Sequence, residues 1–269
     1  MTTLDIAIVT HTPQGGEKVG RMLMPPMDGV RYVVSWQNHG NAPMPSSLIR
    51  SDVVVHRFDG KGVAANRNNA LEHCTADIVL MGDDDLIYNK EGIARITEIF
   101  DGNPTLDLAT FRCIAPYPKK YPEKSVRLGR RLPENYNVGT VEIACRRQSV
   151  AALRFCTELG KGSERFHSGE DEYFLYTAIN RGLECRFFPI DICEHDHYST
   201  GFDPHPSKDT LRGFGCIIAL MYPWTCIARI PLKAWRLFRS RRAGFFKALV
   251  ALAEGAIGAP GVYLRYRKN

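Results

Sequence analysis

Apolar residues along this chain recur with two different periods, and the alternation between them predicts the architecture. Leu4 to Val9 reads as a buried strand, followed by the turn-rich segment THTPQGG. Arg31 to Ser35 and Asp52 to Arg57 read as a second and a third strand. A helix over Ala64 to Cys74 precedes a strand over Ile78 to Met81, and a helix over Glu91 to Phe100 precedes a strand over Leu106 to Phe111. Strands alternating with helices predict a mostly parallel α/β sheet. From Pro116 to Pro133 the periodicity stops. Four prolines and six basic residues there predict a long exposed loop, of the kind that often serves as a lid. A strand over Val138 to Cys145 and a helix over Arg147 to Cys156 follow. The glycine-rich LGKGSERFHSGEDE then leads into a helix over Glu170 to Arg181, closed by Gly182, and a strand over Cys185 to Cys193 ends in EHDHYSTG.

The last 59 residues change character. Gly213 to Ala228 carries no charge but contains Pro223, and its 16 residues fall short of the ~20 that a spanning helix needs. Arg229, Lys233, Arg236 and Arg239 then recur at helical spacing. Ile230, Ala234, Leu237 and Phe238 occupy another face, with Trp235 at the boundary, which is the pattern of an interfacial amphipathic helix. A second apolar segment, Phe245 to Ala253, precedes Gly/Pro breakers and the basic end RYRKN.

Charge sharpens this division. The net charge is +6, yet Leu211 to Asn269 alone carries +10, leaving −4 on the preceding 210 residues. An anionic partner therefore belongs to the tail, and a net acidic remainder disfavours nucleic acid as the partner. The 44% hydrophobic and 24% charged fractions are those of a globular protein. The eight cysteines form no CxxC pair, which predicts reduced thiols of a cytoplasmic protein rather than a zinc site. MTTLDIAIVT lacks a basic leader and a long apolar core, so a signal peptide is not expected.

The candidate chemistry lies first in GVAANRNNALEHCTADIVLMGDDDLIY. An Arg-Asn pair, Arg67 and Asn68, opens a helix, and the following strand ends in Asp83, Asp84 and Asp85. Three adjacent like charges repel, and a cation would neutralise them. Hard oxygen ligands suit Mg²⁺ or Mn²⁺. A strand carboxyl end is where α/β sheets place ligands, and metal beside Arg suggests a substrate phosphate.

IVTHTP after the first strand, GVAANRNNAL, LMGDDD and GEDEYFLYTAINRG together resemble a family 2 glycosyltransferase of the GT-A fold. EHDHYSTG is similar to the metal-binding His and Ser-Thr-Gly turn of bacterial polysaccharide members. The resemblance covers roughly residues 4 to 203. It implies that Asp83 and Asp85 form the DxD pair, Asp85 ligating a divalent cation and Asp83 lying near the ribose or metal, with Asp84 beside them. It implies Asp171 as the base that takes a proton from the acceptor hydroxyl, with Glu170 next to it. By its spacing to Ser199, Thr200 and Gly201, His195 aligns as a metal ligand, with His197 as the other candidate, while His167 shapes the loop before the pair. Thr10, His11 and Thr12 would meet the nucleoside and Arg67 the nucleotide. Many relatives place an Asp after the second strand to pair with uracil. Here Trp36, Gln37 and Asn38 stand there, and Gln37 can both donate and accept.

The sequence thus predicts a GT-A, Rossmann-like mixed sheet flanked by helices over 1–210, divided into a nucleotide-sugar half (1–112) and an acceptor half (113–210). A basic helical appendage over 211–269 lies on an anionic membrane surface. The implied activity is inverting, Mn²⁺- or Mg²⁺-dependent transfer from a nucleotide-sugar, UDP-linked, to a lipid-linked or polysaccharide hydroxyl at the cytoplasmic face of the cell membrane. Two alternatives stand beside it. A sugar-phosphate nucleotidyltransferase would open with a Gly- and Arg-containing phosphate loop, which PQGGEK matches poorly. A catalytically inactive membrane-bound scaffold would have no need of the carboxylates.

Overall fold

Apolar runs with opposite amphipathic helices have one good way to hide, a sheet covered on its faces, and the chain takes it. The computed structural model describes residues 2–134, 136–196 and 202–266. Among these residues are nine strands: β1 Leu4–His11, β2 Val30–Gln37, β3 Val53–Phe58, β4 Ile78–Asp83, β5 Leu86–Tyr88, β6 Leu108–Ile114, β7 Val126–Leu128, β8 Ile143–Arg146 and β9 Cys185–His195. The same described residues form seven α-helices: α1 Gly15–Met22, α2 Val63–His73, α3 Lys90–Gly102, α4 Glu170–Asn180, α5 Lys208–Met221, α6 Cys226–Arg239 and α7 Phe245–Tyr266. The sheet order is β3-β2-β1-β4-β8-β6-β9-β5, with β7 also on β9. β1 pairs in parallel with both β2 and β4, whereas β8 is antiparallel to β4 and to β6, so the sheet is mixed.

The chain divides into two compact units. One comprises 1–61, 65–154 and 174–197, and the other 62–64, 155–173 and 198–269. The sheet-bearing unit is centred on Leu4, Ile6, Ile8, Tyr32, Val34, Ile78 and Leu80, all buried, with Ile93, Ile96 and Phe100 of α3 packed in the same core. Buried Asp5 is satisfied by Arg31 at 2.9 and 2.8 Å and by the N–H groups of Thr75 and Ala76 at 2.7 and 3.0 Å. In the other unit Leu211, Phe214, Ile230, Ala234, Leu237, Ala248, Ala251 and Leu252 of α5, α6 and α7 form a separate core.

Several local expectations change. Arg147 to Cys156 forms turns rather than a helix, because neighbouring segments take its backbone groups: Arg146 and Arg147 N–H donate to the carbonyls of Asp107 and Asp77 at 2.8 and 2.9 Å. The expected loop at 116–133 contributes β7, and it is tied down where Lys119 meets the buried carboxylate of Glu142 at 2.5 Å. The presumed breakers after Ala253 lie inside α7. Gly255 there passes so close to α5 that a Cβ would sit 1.9 Å from the Arg212 carbonyl oxygen. α6 turns Ile230, Ala234 and Leu237 inward, so most of the apolar face expected to meet lipid is core while Phe238 stays exposed, and Lys233 lies 4.8 Å from the centre of the Phe214 ring.

Candidate active site

The carboxyl ends of β1, β2 and β4 lie side by side in register, Val9 opposite Asp83 and His11 opposite Gln37. Local chemistry then fixes the loop after β1. Thr12 adopts a left-handed φ of 76°, and its carbonyl accepts the Trp36 indole N–H at 2.7 Å and the Gly15 N–H at 3.0 Å. Only glycine fits at 15, since a Cβ would lie 2.2 Å from the Thr10 hydroxyl oxygen. α1 therefore starts directly under the strand end and brings Lys18 with it.

The acidic triplet is divided among different partners. Asp83 accepts from Arg67 Nη2 at 3.0 and 3.3 Å. Asp84 accepts from the Thr10 hydroxyl and lies 3.9 Å from Lys18 Nζ. Asp85 Oδ1 lies 3.3 Å from His195 Nε2. That last contact follows from strand pairing, because β5 and β9 run antiparallel with Leu86 opposite His195. Burial pushes the Asp84 carboxyl up, against the lowering by the Thr10 hydrogen bond and Lys18, and repulsion from Asp85 and Asp83 adds to the rise.

A second layer holds these groups. Buried Asn66 donates to the Thr10 carbonyl at 3.0 Å and accepts from Ser35 Oγ at 2.6 Å, and Asn69 donates to that same hydroxyl oxygen at 2.7 Å. Lys18, Asn66 and Asn69 were not singled out by the sequence. Only the polar run NRNN on an otherwise core-facing helix pointed to the two asparagines. Gln37 is buried and donates its amide to the Gly60 carbonyl, which leaves Oε1 as its acceptor. His11 is exposed at the end of β1 and Thr12 is half-buried. His197, Ser199, Thr200 and Gly201 lie outside the described residues.

Glu170 and Asp171 belong to the other unit, in the first turn of α4, where the helix dipole favours carboxylates. Gly160 has φ +91°, and a Cβ there would come within 2.9 Å of the Glu170 carboxyl carbon. Glu170 is buried, whereas Asp171 is half-buried and accepts the Glu172 N–H at 2.9 Å. His167 Nε2 lies 3.1 Å from the Ser163 carbonyl oxygen, so this ring serves the loop before α4.

A divalent cation would find a carboxylate and an imidazole already together in Asp85 and His195, a donor pair suited to Mn²⁺. Among the described residues no group of three or more His, Cys, Asp or Glu side chains gathers as a metal site.

Comparison with known proteins bears on the family and the fold. Residues 48–155 match the family described as glycosyl transferase family 2. The pre-mycofactocin glycosyltransferase of two strains of Mycobacterium tuberculosis is 28% identical over 183 residues, 63% of this chain. The match covers 37% of that relative, so this chain spans well under half of its length. Among solved structures, residues 1–349 of S. aureus TarS in complex with UDP give a TM-score of 0.57 at 15% identity, covering 99% of this chain and 91% of the other. The same TarS segment in complex with UDP-GlcNAc gives 0.56 at 13% identity, covering 99% and 92%. At such identity the likeness is one of fold, and that fold is GT-A.

Proposed function

We infer that this chain, a glycosyl transferase family 2 member by its matched segment and its fold, moves a sugar from a UDP-linked donor to a hydroxyl acceptor with inversion at the anomeric carbon. The observation that carries the reading is the partition of the acidic triplet at the β1/β4 edge. Arg67–Asp83, Thr10–Asp84 and His195–Asp85 converge where an α/β sheet binds ligands. The UDP and UDP-GlcNAc complexes of TarS support a nucleotide-sugar donor. Gln37 supports uracil, because an oriented carbonyl accepts the N3–H that uracil carries and cytosine lacks.

In this reading Arg67 faces the diphosphate, and the Asn66–Ser35–Asn69 network keeps the strand ends in place for the nucleoside. Asp171 takes the proton from the acceptor hydroxyl as that oxygen attacks the anomeric carbon. The bond from that carbon to the diphosphate breaks, and UDP leaves with the bonding pair. Asp85 and His195, with Asp83 beside them, would hold Mn²⁺ or Mg²⁺, which when bound would offset charge on the departing diphosphate. The acceptor is a lipid-linked or polysaccharide hydroxyl at the cytoplasmic membrane face, a placement supported by the +10 tail.

The test is a screen of UDP-sugars for transfer and donor hydrolysis by the full chain, with and without chelator. Chelation should abolish turnover, and added Mn²⁺ should restore it. Asp171→Asn should lower the transfer rate by roughly 10²–10⁴-fold with little change in donor affinity. Undiminished activity in chelator sinks the metal assignment. An unchanged rate in Asp171→Asn sinks the base. No turnover of any nucleotide-sugar favours the inactive scaffold.

A further inference from the structure

α6 shows solvent a face that is itself amphipathic. Its inward seam, Ile230, Ala234 and Leu237, is already spent on the core with α5 and α7. Apart from Leu232, 45% exposed among the arginines, what remains outside separates into two lines along the helix. Ile227, Trp235 and Phe238, with Pro231 between them, follow one another at intervals of three and four residues, the spacing of a single ridge. Arg229, Arg236 and Arg239 line the adjacent stripe, and Arg239 folds back with its guanidinium carbon 5.1 Å from the Trp235 ring centre. The apolar line is not marginally open: Ile227 is 82% exposed, Phe238 55% and Trp235 46%, and Trp224 just before the helix is 93% exposed. α7 adds Phe246, Val250 and Ile257 at 78%, 55% and 82% exposure, again at helical spacing. Large aromatics left in water beside arginines need a partner that is apolar within and anionic at its rim.

We propose that this outward face of α6, with Trp224, seats in the interfacial layer of an anionic bilayer. Trp224, Ile227, Trp235 and Phe238 would enter the acyl boundary while Arg229, Arg236 and Arg239 meet the headgroup phosphates. The inference rests on the membrane placement proposed above and adds to it the residues and the mode of contact. Charge complementarity selects lipid over a second copy of the chain, because two tails of +10 facing each other would repel. α7 is long and apolar enough to cross a membrane over Phe245–Tyr263. It is instead bound into the fold. A Cβ at Gly215 of α5 would lie 1.9 Å from the Leu252 carbonyl oxygen, and Glu254 pairs with Lys208 at 3.0 Å and Arg212 at 3.6 Å. A helix packed that closely, with its acid in an ion-pair cluster, lies on the surface with its unit.

The experiment is co-sedimentation of the full-length chain with phosphatidylcholine vesicles, with and without phosphatidylglycerol, across a salt series. Wild type should bind the anionic vesicles, less so as salt rises. Arg236→Glu/Arg239→Glu should weaken that binding by about tenfold or more, since each basic residue near such a surface adds to the affinity. Trp235→Ser/Phe238→Ser should reduce the salt-resistant part. The same charge change on α3, Lys90→Glu/Arg95→Glu, should have little effect. Donor turnover with a soluble acceptor should stay at the wild-type rate in both α6 variants, so loss of membrane contact reads separately from loss of the enzyme. Equal loss from the α3 pair, or binding unchanged in both α6 variants, overturns the proposed face but leaves membrane placement standing. No binding by wild type to either vesicle overturns both. A salt-sensitive dimer in light scattering that the α6 variants dissociate identifies a second copy as the occupant and also overturns the proposal.

Discussion

Asp83, Asp84 and Asp85 repel one another along the chain, and the fold answers by giving each its own neighbour. Asp84 is held through Thr10 and Lys18. Its carboxyl is raised, first by burial, so the folded protein holds that proton more tightly than the unfolded chain does. The linkage sign follows: stability falls as pH rises from the unfolded carboxylate range through the raised folded value, and the cost is fully present above it. Asp84→Asn should therefore raise the melting temperature at neutral pH, with the gain shrinking as pH falls into the acid range. A variant that melts lower at neutral pH and higher in acid would show that the ionised carboxylate stabilises the fold. The triplet was legible in the sequence because charge repulsion is a local property. The division of partners was not. Lys18 arrives only because Gly15 and Gly16 let α1 begin against Trp36, and His195 arrives only through the β5–β9 register.

Elements were legible where one period dominated, as in β1, β2, β3, α2, α3 and α4, each found within about three residues of its expected ends. α6 shows the limit of that signal. The helix was evident, but it carries apolar residues on two faces, and α5 and α7 decide which face becomes core. The glycines of α7 show another limit, since Gly255 read as a break and is a contact. Gly255→Leu should force α5 and α7 apart, because a Cβ there meets the Arg212 backbone at 1.9 Å. Overpacking of this kind costs about 1–3 kcal/mol or more, and each kcal/mol lowers the melting temperature by roughly 2–4 °C in a chain of this size. Gly102→Ala, with nothing within 4 Å of its added Cβ, is the control and should leave thermal denaturation close to wild type. Equal melting of the two variants would show that α5 and α7 are not closely packed at that crossing.

On the scale of the whole molecule, the order of motifs from residue 4 to about 203 was enough to anticipate the GT-A fold and the family model that matches residues 48–155, but not which segments share a core. The segment 155–173, which carries Glu170 and Asp171, groups in space with 198–269. Its contacts there are specific. Phe166 is fully buried beside Gly258, whose added Cβ would touch the ring at 2.7 Å, and Arg212 lies 5.9 Å from the ring centre. Ser168 Oγ donates to the Thr210 carbonyl at 3.0 Å, and Gly169, at φ +96°, leaves room for Ile217, which a Cβ would meet at 2.1 Å. Every one of those partners lies beyond Ser207. The tail is thus part of what places α4's first turn, besides any contact it makes with lipid. A chain ended at Ser207 uncovers Phe166, worth about 1.5–3 kcal/mol in lost burial, and frees the backbone that precedes Asp171. It should melt lower and lose transfer by roughly 10²-fold or more, the scale of a misplaced general base. Nucleotide binding by the sheet-bearing unit should fall much less, since Thr10, Gln37, Arg67 and the triplet all belong to that unit. Calorimetric UDP binding and transfer to a soluble acceptor, measured on the same preparation, separate the two effects. Wild-type transfer by the shortened chain would mean that 208–269 does not position the first turn of α4, or that this turn does not supply the proposed base.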